Sequence, residues 1–342
     1  MRPAGLIVLL LALTALAGCQ EPPRTSSGSG ALLSPTGSKI RIAMMPKKKG
    51  LEYFNVCLQG AQEAVRDLGD VELFYDGPTG DSSEDQSRML GNWVINRYDA
   101  ILIACNDSEQ IAPAIKKARQ AGIHVLTYDA DANPQKSGRE FFVNQATNEE
   151  IARALVDEMV QQVGPQAEVA IVTSRLTAPN QTAWIAAMER YRQERYPNLK
   201  MLEPRPSDED QQKAFTEAQN IIKTRPECKG IFGLSSVAFP GVADAVRQQG
   251  RSGQIAVVGL SNPKTMRQYV ADGIVKTGIL WNVPDLGYLA VYAARAVVKG
   301  ELRPGASSFT AGRLKSIRIQ GSEIILGPPL LYHRDNIAQF DF

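Results

Sequence analysis

The sequence has few of the residues on which enzymes and metal sites most often depend. Only 2 histidines and 4 cysteines occur among 342 residues, and neither histidine is placed after a predicted strand as a catalytic base would be. The chain also lacks a Gly-x-Ser-x-Gly turn, a glycine-rich phosphate loop and a His-Glu-x-x-His motif. Asp129 and Asp131 form a close acidic pair, but no further ligand lies at a metal-binding spacing from them. We therefore expect a protein that is not an enzyme and that holds no metal and no cofactor.

An excess of charge of either sign is also missing. The 38 Lys and Arg residues are interspersed with 36 Asp and Glu residues, and no basic block or alternation of basic and aromatic residues occurs. Such patterns track a phosphate backbone, so we do not expect nucleic acid as a partner. A hydrophobic content of 44% is typical of a folded globular protein. The length exceeds that of one usual domain of about 100 to 200 residues, which predicts two lobes.

Cysteine is too scarce for a disulfide framework. Apart from Cys19, the sequence contains Cys57, Cys105 and Cys228, an odd set at unrelated spacings. The sequence leaves open whether two of these three cysteines form a disulfide, which an oxidising compartment would permit.

The N-terminus carries a short apolar run. Residues 6–17 are mostly apolar and follow a single arginine, Arg2. The run is shorter than the about 20 residues of a membrane-spanning helix and is typical of a secretory signal peptide. It ends in Leu-Ala-Gly-Cys, which resembles the bacterial lipobox, so we expect Cys19 to be acylated and to anchor the protein to a membrane. An ordinary cleaved signal peptide with a chance cysteine is the alternative. Residues 20–38 are rich in Pro, Gly and Ser, which predicts a flexible tether.

From residue 40 onward, short apolar runs alternate with amphipathic stretches. This order predicts parallel sheets with crossover helices. Residues 114–129 and 245–260 each contain a helical stretch, a glycine, a strand and a polar turn, so the pattern occurs twice. The sequence therefore predicts an α/β protein with two doubly wound parallel-sheet lobes. Ligands of such sheets bind outside the carboxyl ends of the strands, which places the site in a cleft between the lobes. The predicted strands are residues 40–45, 71–75, 100–104, 125–128, 141–143, 169–172, 201–202, 230–233 and 255–258.

Polar residues follow many of these strands, and aromatic residues lie close to them in the sequence. Planar groups that donate and accept hydrogen bonds, beside an aromatic face, recognise the hydroxyl groups of a sugar. Each residue also has a structural alternative, because polar residues at strand ends cap helices and fix turns. The candidate ligand-binding residues of this kind are Lys47, Phe54, Asp129, Asp131, Gln145, Asn180, Gln181, Ser236, Ser261 and Trp281.

Seven segments carry a resemblance to a known family. The chain from about residue 40 to residue 342 resembles the sugar-type substrate-binding proteins of bacterial ABC transporters, which are relatives of ribose-binding protein. Within them it is most similar to the branch that contains rhamnose-binding proteins and receptors of the signal autoinducer 2. The segments are residues 41–47, 75–79, 125–131, 143–145, 266–270, 280–281 and 336–342.

The resemblance implies a type I periplasmic binding protein fold, with two lobes joined by a three-segment hinge. It implies a monomer in the periplasm or cell envelope that traps a sugar and delivers it to an ABC permease in the membrane. The expected division is a signal peptide at 1–19, a tether at 20–38, a first lobe at 39–146 with 283–312, and a second lobe at 147–282 with 313–342. The three crossings are expected near 145–147, 282–284 and 311–316.

The resemblance also bears on the ligand. The lysine and one aspartate of the autoinducer 2 receptors match Lys47 and Asp129, and their Asp-Gln pair falls on Asn180 and Gln181. Their proline and alanine fall on Leu234 and Ser236. Trp281 and the residues after it are more similar to the rhamnose-binding side. The expected ligand is therefore rhamnose or a similar monosaccharide, and autoinducer 2 is the alternative. A receptor that presents a sugar to a sensor kinase is a further alternative, since it needs the same residues.

Overall fold

A computed structural model of the chain describes residues Lys39–Phe342. The expected signal peptide, Cys19 and the expected tether lie outside the described residues. The strands are β1 Ile40–Met45, β2 Val71–Tyr75, β3 Ala100–Ile103, β4 His124–Tyr128, β5 Phe142–Asn144, β6 Glu168–Thr173, β7 Lys200–Met201, β8 Arg205–Pro206, β9 Cys228–Gly233, β10 Ala256–Gly259, β11 Thr277–Leu280, β12 Ser308–Thr310, β13 Ser316–Gln320, β14 Glu323–Ile325 and β15 Leu330–His333. The helices are α1 Glu52–Leu68, α2 Ser83–Ile95, α3 Ala112–Gln120, α4 Pro134–Ser137, α5 Asn148–Val163, α6 Pro179–Arg195, α7 Gln211–Thr224, α8 Ala238–Gln248, α9 Pro263–Ala271 and α10 Val283–Val298.

The first lobe is built on an eight-stranded sheet. Its strand order is β12-β13-β14-β5-β4-β3-β1-β2, and every neighbouring pair from β14 to β2 is parallel. Strand β3 is buried along its whole length and β1 is buried except at Arg41, as expected for a parallel sheet with both faces covered. Their carboxyl ends therefore meet along one edge of the sheet.

The second lobe repeats this plan with fewer strands. A parallel sheet has the order β10-β9-β6-β7, and β8 also pairs with β6. The antiparallel pair β11 and β15 continues it, because Leu260 forms a parallel bridge with Ile279. Within residues 39–342, no helix is long and apolar enough to span a membrane. The prediction of two doubly wound lobes is confirmed.

Three chain segments join the two sheets, and one of them differs from the expected position. The first two crossings follow β5 and β11, close to the predicted 145–147 and 282–284. The third runs from Ile325 to Leu330, because β13 and β14 form a hairpin whose second strand pairs with β5 of the first lobe. The expectation that residues 313–325 belong to the second lobe is therefore wrong. The hairpin turn contains Gly321 with a φ of 63°, and Ile317 and Ile319 alternate with exposed residues, as a half-buried strand requires.

Two helix starts matter for the site. Helix α5 begins with a capping box, since the Thr147 side chain accepts from the backbone N–H of Glu150 and the Glu150 carboxylate accepts from the N–H of Thr147. Helix α6 begins at Pro179. Proline at the first helical position is compatible with the helix because its missing N–H has no partner there. Asn180 therefore lies in the first turn of a helix rather than in a loop.

Helices α1 and α10 cover one face of the first sheet and approach each other closely. A Cβ atom on Gly60 would lie 1.7 Å from the carbonyl oxygen of Pro284, and one on Gly287 would lie 1.8 Å from that of Cys57. Neither position can hold a larger residue without separating the helices. Cys57 itself is a buried free thiol, as are Cys105 and Cys228.

We expect Gly287→Ala to lower stability by about 3 kcal/mol, because its Cβ meets a backbone oxygen that cannot rotate away. Gly91→Ala in α2 is the control, since an added Cβ there meets no atom within 4 Å and alanine favours the helix by about 0.5 to 1 kcal/mol. Thermal unfolding of both variants measures the difference. Equal melting temperatures would contradict the packing described for α1 and α10.

Candidate functional site

A cleft lies between the lobes, at the carboxyl ends of strands from both sheets. The first lobe contributes the residues after β1 and β4 and the start of α1. The second lobe contributes the start of α6, the loop before α7 and the residues after β9, β10 and β11. The lining residues are Lys47, Leu51, Tyr53, Phe54, Asp129, Asn180, Gln181, Trp184, Glu209, Leu234, Ser235, Ser236, Leu260, Leu280 and Trp281.

A buried ammonium group joins the two lobes. Lys47 Nζ donates to Asn180 Oδ1 across the cleft at 2.8 Å and lies 3.8 Å from Asp129 Oδ2. The amide of Asn180 donates in turn to Asp129 Oδ2 at 3.5 Å. The side chains of Lys47 and Asp129 are each only 5% exposed. Because an isolated buried charge is costly, these three groups stabilise one another.

Aromatic residues form one wall of the cleft and share this network. Tyr53 donates from its hydroxyl to Asp129 Oδ1 at 2.8 Å and accepts from Trp281 Nε1 at 2.9 Å. The ring centroids of Tyr53 and Phe54 lie 5.1 Å apart, and those of Trp184 and Trp281 lie 5.8 Å apart. These rings offer apolar faces beside a carboxylate, which is the chemistry that accepts a sugar ring.

The side chain of Gln181 is oriented by hydrogen bonds to its oxygen. Oε1 accepts from the backbone N–H of Ser174 at 2.7 Å and from the hydroxyl of Thr173. With the oxygen engaged, the amide nitrogen of Gln181 is the group that can donate to a ligand. The second lobe therefore supplies a donor opposite the acceptor Asp129.

The loops after β9 and β10 complete the floor of the cleft. Leu234 and Ser236 both line it. Ser261 does not line it; its hydroxyl donates to the carbonyl oxygen of Ser236 at 2.9 Å, and its own carbonyl accepts from Tyr332. Ser261 thus positions the Ser236 loop rather than facing the cleft.

A buried glutamine fixes the loop that carries Lys47. Gln86 donates to the carbonyl oxygens of Pro46 and Ala104 at 3.2 and 2.7 Å, and accepts from the N–H of Asn106 at 2.9 Å. Asn106 donates to the carbonyl oxygen of Lys47 at 2.9 Å. These hydrogen bonds join the ends of β1 and β3, so the backbone at Lys47 is held in place.

Asp131 and Gln145, two further predicted residues, line an adjoining cavity that shares Asp129, Asn180 and Trp184 with the cleft. Both carboxylate oxygens of Asp131 accept from Arg139, at 2.8 and 2.5 Å, and one also accepts from the N–H of Ala132. Its contacts are those of an ion pair with the buried Arg139. Gln145 is 1% exposed and its Oε1 has no protein partner. Eight of the eleven predicted residues line the cleft itself.

Glu209 was not predicted from the sequence. It is buried and lines the cleft, although it lies in the acidic run 208–210, a pattern typical of a solvated turn. Leu51 also escaped prediction because no motif marks it. Tyr53 and Trp184 carried a signal in their aromatic character and their helical spacing, but that spacing fits a core position equally well.

The electrostatics of the cleft are set by one ammonium and two carboxylates. Burial raises the pKa of Asp129, and Lys47 together with the hydrogen bond from Tyr53 opposes that rise. Burial also raises the pKa of Glu209, again opposed by Lys47. When all three groups are ionised, the cleft carries one net negative charge.

Comparisons with known proteins agree with this architecture. Residues 42–302 match the family described as the periplasmic binding protein domain. The D-ribose/D-allose-binding protein of Pseudomonas aeruginosa is 26% identical over 273 residues, which cover 78% of this chain and 83% of that protein. The ribose import binding protein RbsB of Bacillus subtilis is 22% identical and covers 88% of this chain and 95% of its own length.

Solved structures give the same result. An ABC transporter solute binding protein from Clostridium phytofermentas with bound L-rhamnose is 29% identical, with a TM-score of 0.84 over 89% of this chain and 98% of that one. LsrB from Clostridium saccharobutylicum in complex with AI-2 is 22% identical, with a TM-score of 0.83 over 89% of this chain and 100% of that one, and supports the fold alone. These relatives are binding proteins of transporters, so the prediction that the protein is not an enzyme is confirmed. The chain belongs to the periplasmic binding protein family, as a sugar-type substrate-binding protein of ABC transporters.

Proposed function

We propose that this protein binds a neutral monosaccharide, rhamnose or a similar sugar, between its two lobes and delivers it to an ABC permease. The observation that carries the proposal is the cleft itself, where Asp129 of the first lobe and Gln181 of the second line one cavity that has an aromatic wall. A ligand that contacts both residues favours the closed arrangement by its added contacts, and only such contacts can shift the equilibrium. The three crossings act as the hinge, and the closed form is the one that a permease recognises.

Rhamnose is supported by two features. The solved relative with bound L-rhamnose is 29% identical to this chain. Trp281 lies at the cleft and is held by Tyr53, in agreement with the likeness of this segment to rhamnose-binding proteins. Autoinducer 2 is the second candidate, since Lys47, Asp129 and Gln181 all line the cleft. Asn180 replaces a carboxylate with an amide, which removes an acceptor and adds a donor and so disfavours that ligand.

We also propose that Cys19 is lipidated and holds the protein at a membrane face, with residues 20–38 as the tether. The sequence at residues 16–19 supports this assignment. Delivery to a permease and presentation to a sensor kinase use the same cleft. A permease and an ATPase encoded beside the gene would favour delivery, and a sensor kinase encoded there would favour presentation. We expect the protein to act as a monomer.

A thermal-unfolding panel identifies the ligand. We expect L-rhamnose or another neutral monosaccharide to raise the melting temperature by several degrees, because a ligand at about 100 times its Kd adds about 2.7 kcal/mol. A larger rise with autoinducer 2 than with any monosaccharide would favour the alternative. No rise with any of these compounds would contradict the proposed ligand class.

We expect Asp129→Asn to weaken sugar binding at least tenfold, because hydrogen bonds to a charged acceptor contribute about 1.5 to 3 kcal/mol. Asp131→Asn is the matched control, two residues along the chain. It should keep affinity within about twofold and lower the melting temperature instead, since the 2% exposed Arg139 loses its ion pair. Titration calorimetry measures both affinities. A larger loss of affinity in the control would exclude Asp129 as the principal acceptor.

Sugar affinity should be lower at pH 5 than at pH 7.5. The pKa of Asp129 is raised by burial, so this residue gains a proton at a higher pH than an exposed carboxyl group does. Protonation of Asp129 removes the charged acceptor that the ligand would bind. The same protonation stabilises the unliganded fold, because a raised pKa in the folded state means that the folded state binds the proton more tightly than the unfolded state does. Calorimetry and unliganded melting temperatures over this range test both signs. An affinity that rises on acidification would contradict the role given to Asp129.

A further inference from the structure

The loop of residues 207–210, before α7, carries a carboxylate into the cleft. Glu209 is 7% exposed and lines the same cavity as Lys47 and Asp129, whereas Asp208 and Asp210 on either side are exposed. Burying a carboxylate is costly unless polar groups reach it. Lys47 and the Ser174 hydroxyl stabilise its charge. The cavity that it lines also contains leucine and tryptophan side chains, so a ligand hydroxyl group is a natural partner for the acceptor positions that remain on the carboxylate.

The backbone of this loop is held in a conformation that turns Glu209 inward. Asp208 and Glu209 have φ values of 51° and 52°, in the left-handed region that costs a residue other than glycine about 1 to 2 kcal/mol. Such strain persists where surrounding bonds enforce it and is concentrated at ligand sites.

The surrounding bonds are present here. The N–H of Ser207 donates to Thr173 O at 2.8 Å, and the N–H of Asp208 donates to Ser174 O at 2.7 Å. Asp210 accepts from the N–H of Lys213 at 2.7 Å and caps α7. The loop is therefore anchored on both sides of Glu209, and the buried carboxylate is a fixed feature of the cleft.

We infer that Glu209 contacts the ligand and, with Asp129, determines the charge that the cleft accepts. The inference rests on the proposed function. Two carboxylates from opposite lobes share the single ammonium of Lys47, so the cleft offers charged acceptors and carries a net negative charge. Neutral sugars and protonated amino sugars satisfy these acceptors through O–H and N–H groups. Uronic acids and sugar phosphates bring a like charge into a site with little water and are rejected.

Titration calorimetry with matched sugars tests the assignment. Each neutral sugar, L-rhamnose, galactose and glucose among them, is compared with the uronate of the same ring configuration and, where one exists, with the amino sugar. The proteins are the wild type, Glu209→Gln and Glu203→Gln. The first variant keeps the shape of the side chain and removes its charge. The second removes one exposed negative charge from the same lobe and controls for net charge.

We expect the wild type to bind a neutral or amino sugar at least tenfold more tightly than the matched uronate. Glu209→Gln should reduce that ratio about tenfold, whereas Glu203→Gln should leave it unchanged. If the shape of the cleft rather than its charge caused the preference for the neutral sugar, Glu209→Gln would keep the wild-type ratio, since the glutamate and glutamine side chains have nearly the same size. The melting temperature of Glu209→Gln should equal or exceed that of the wild type, which verifies folding.

Two results overturn the assignment while the proposed function stands. One is a wild type that binds a uronate as tightly as its neutral counterpart. The other is a ratio in Glu209→Gln within twofold of the wild-type ratio. Binding of none of these sugars by the wild type overturns the proposed function, and the assignment of Glu209 falls with it.

Discussion

The structure depends on one hydrogen-bonded group that lies between the lobes. Lys47 of the first lobe, Asn180 of the second and Asp129 of the first satisfy one another in a place from which water is largely excluded. None of these groups could be buried alone without a large loss of solvation free energy. The arrangement of the lobes and the polarity of the cleft are thus coupled, and a ligand that takes over these hydrogen bonds acts on the hinge.

The rest of the molecule positions this group. The parallel sheets bring strand ends from distant parts of the chain to one edge, and Gln86 ties the loop of Lys47 to the neighbouring strand. The close packing of α1 on α10 fixes the segment that carries Tyr53, which in turn holds Asp129. Precision at the cleft is therefore supplied by packing and hydrogen bonds outside it.

Much of the fold and most of the cleft could be predicted from the sequence, because strand and helix periods are local and strand ends converge by geometry. The hairpin of β13 and β14 was missed since its pairing with β5 joins residues about 180 positions apart. Asp129 and Asp131 were both expected at the ligand because polar residues that follow a strand of a parallel sheet lie at its carboxyl edge. Asp129 has a left-handed backbone with a φ of 61° and lines the cleft, whereas Asp131 pairs with Arg139. The inward turn at Glu209 also depends on a left-handed backbone, which no residue type in the loop indicates.

Small-angle X-ray scattering with and without the sugar that raises the melting temperature tests the central claim most directly. The account predicts that the sugar lowers the radius of gyration of the wild type, because a ligand held by both lobes selects the closed arrangement. Asn180→Ala, which removes the partner of Lys47 across the cleft, should require more sugar to reach the same compaction. The opposite result is a sugar that raises the melting temperature but leaves the radius of gyration unchanged at saturation, so that the liganded form is as open as the unliganded one. That result would contradict the coupling between the cleft and the hinge.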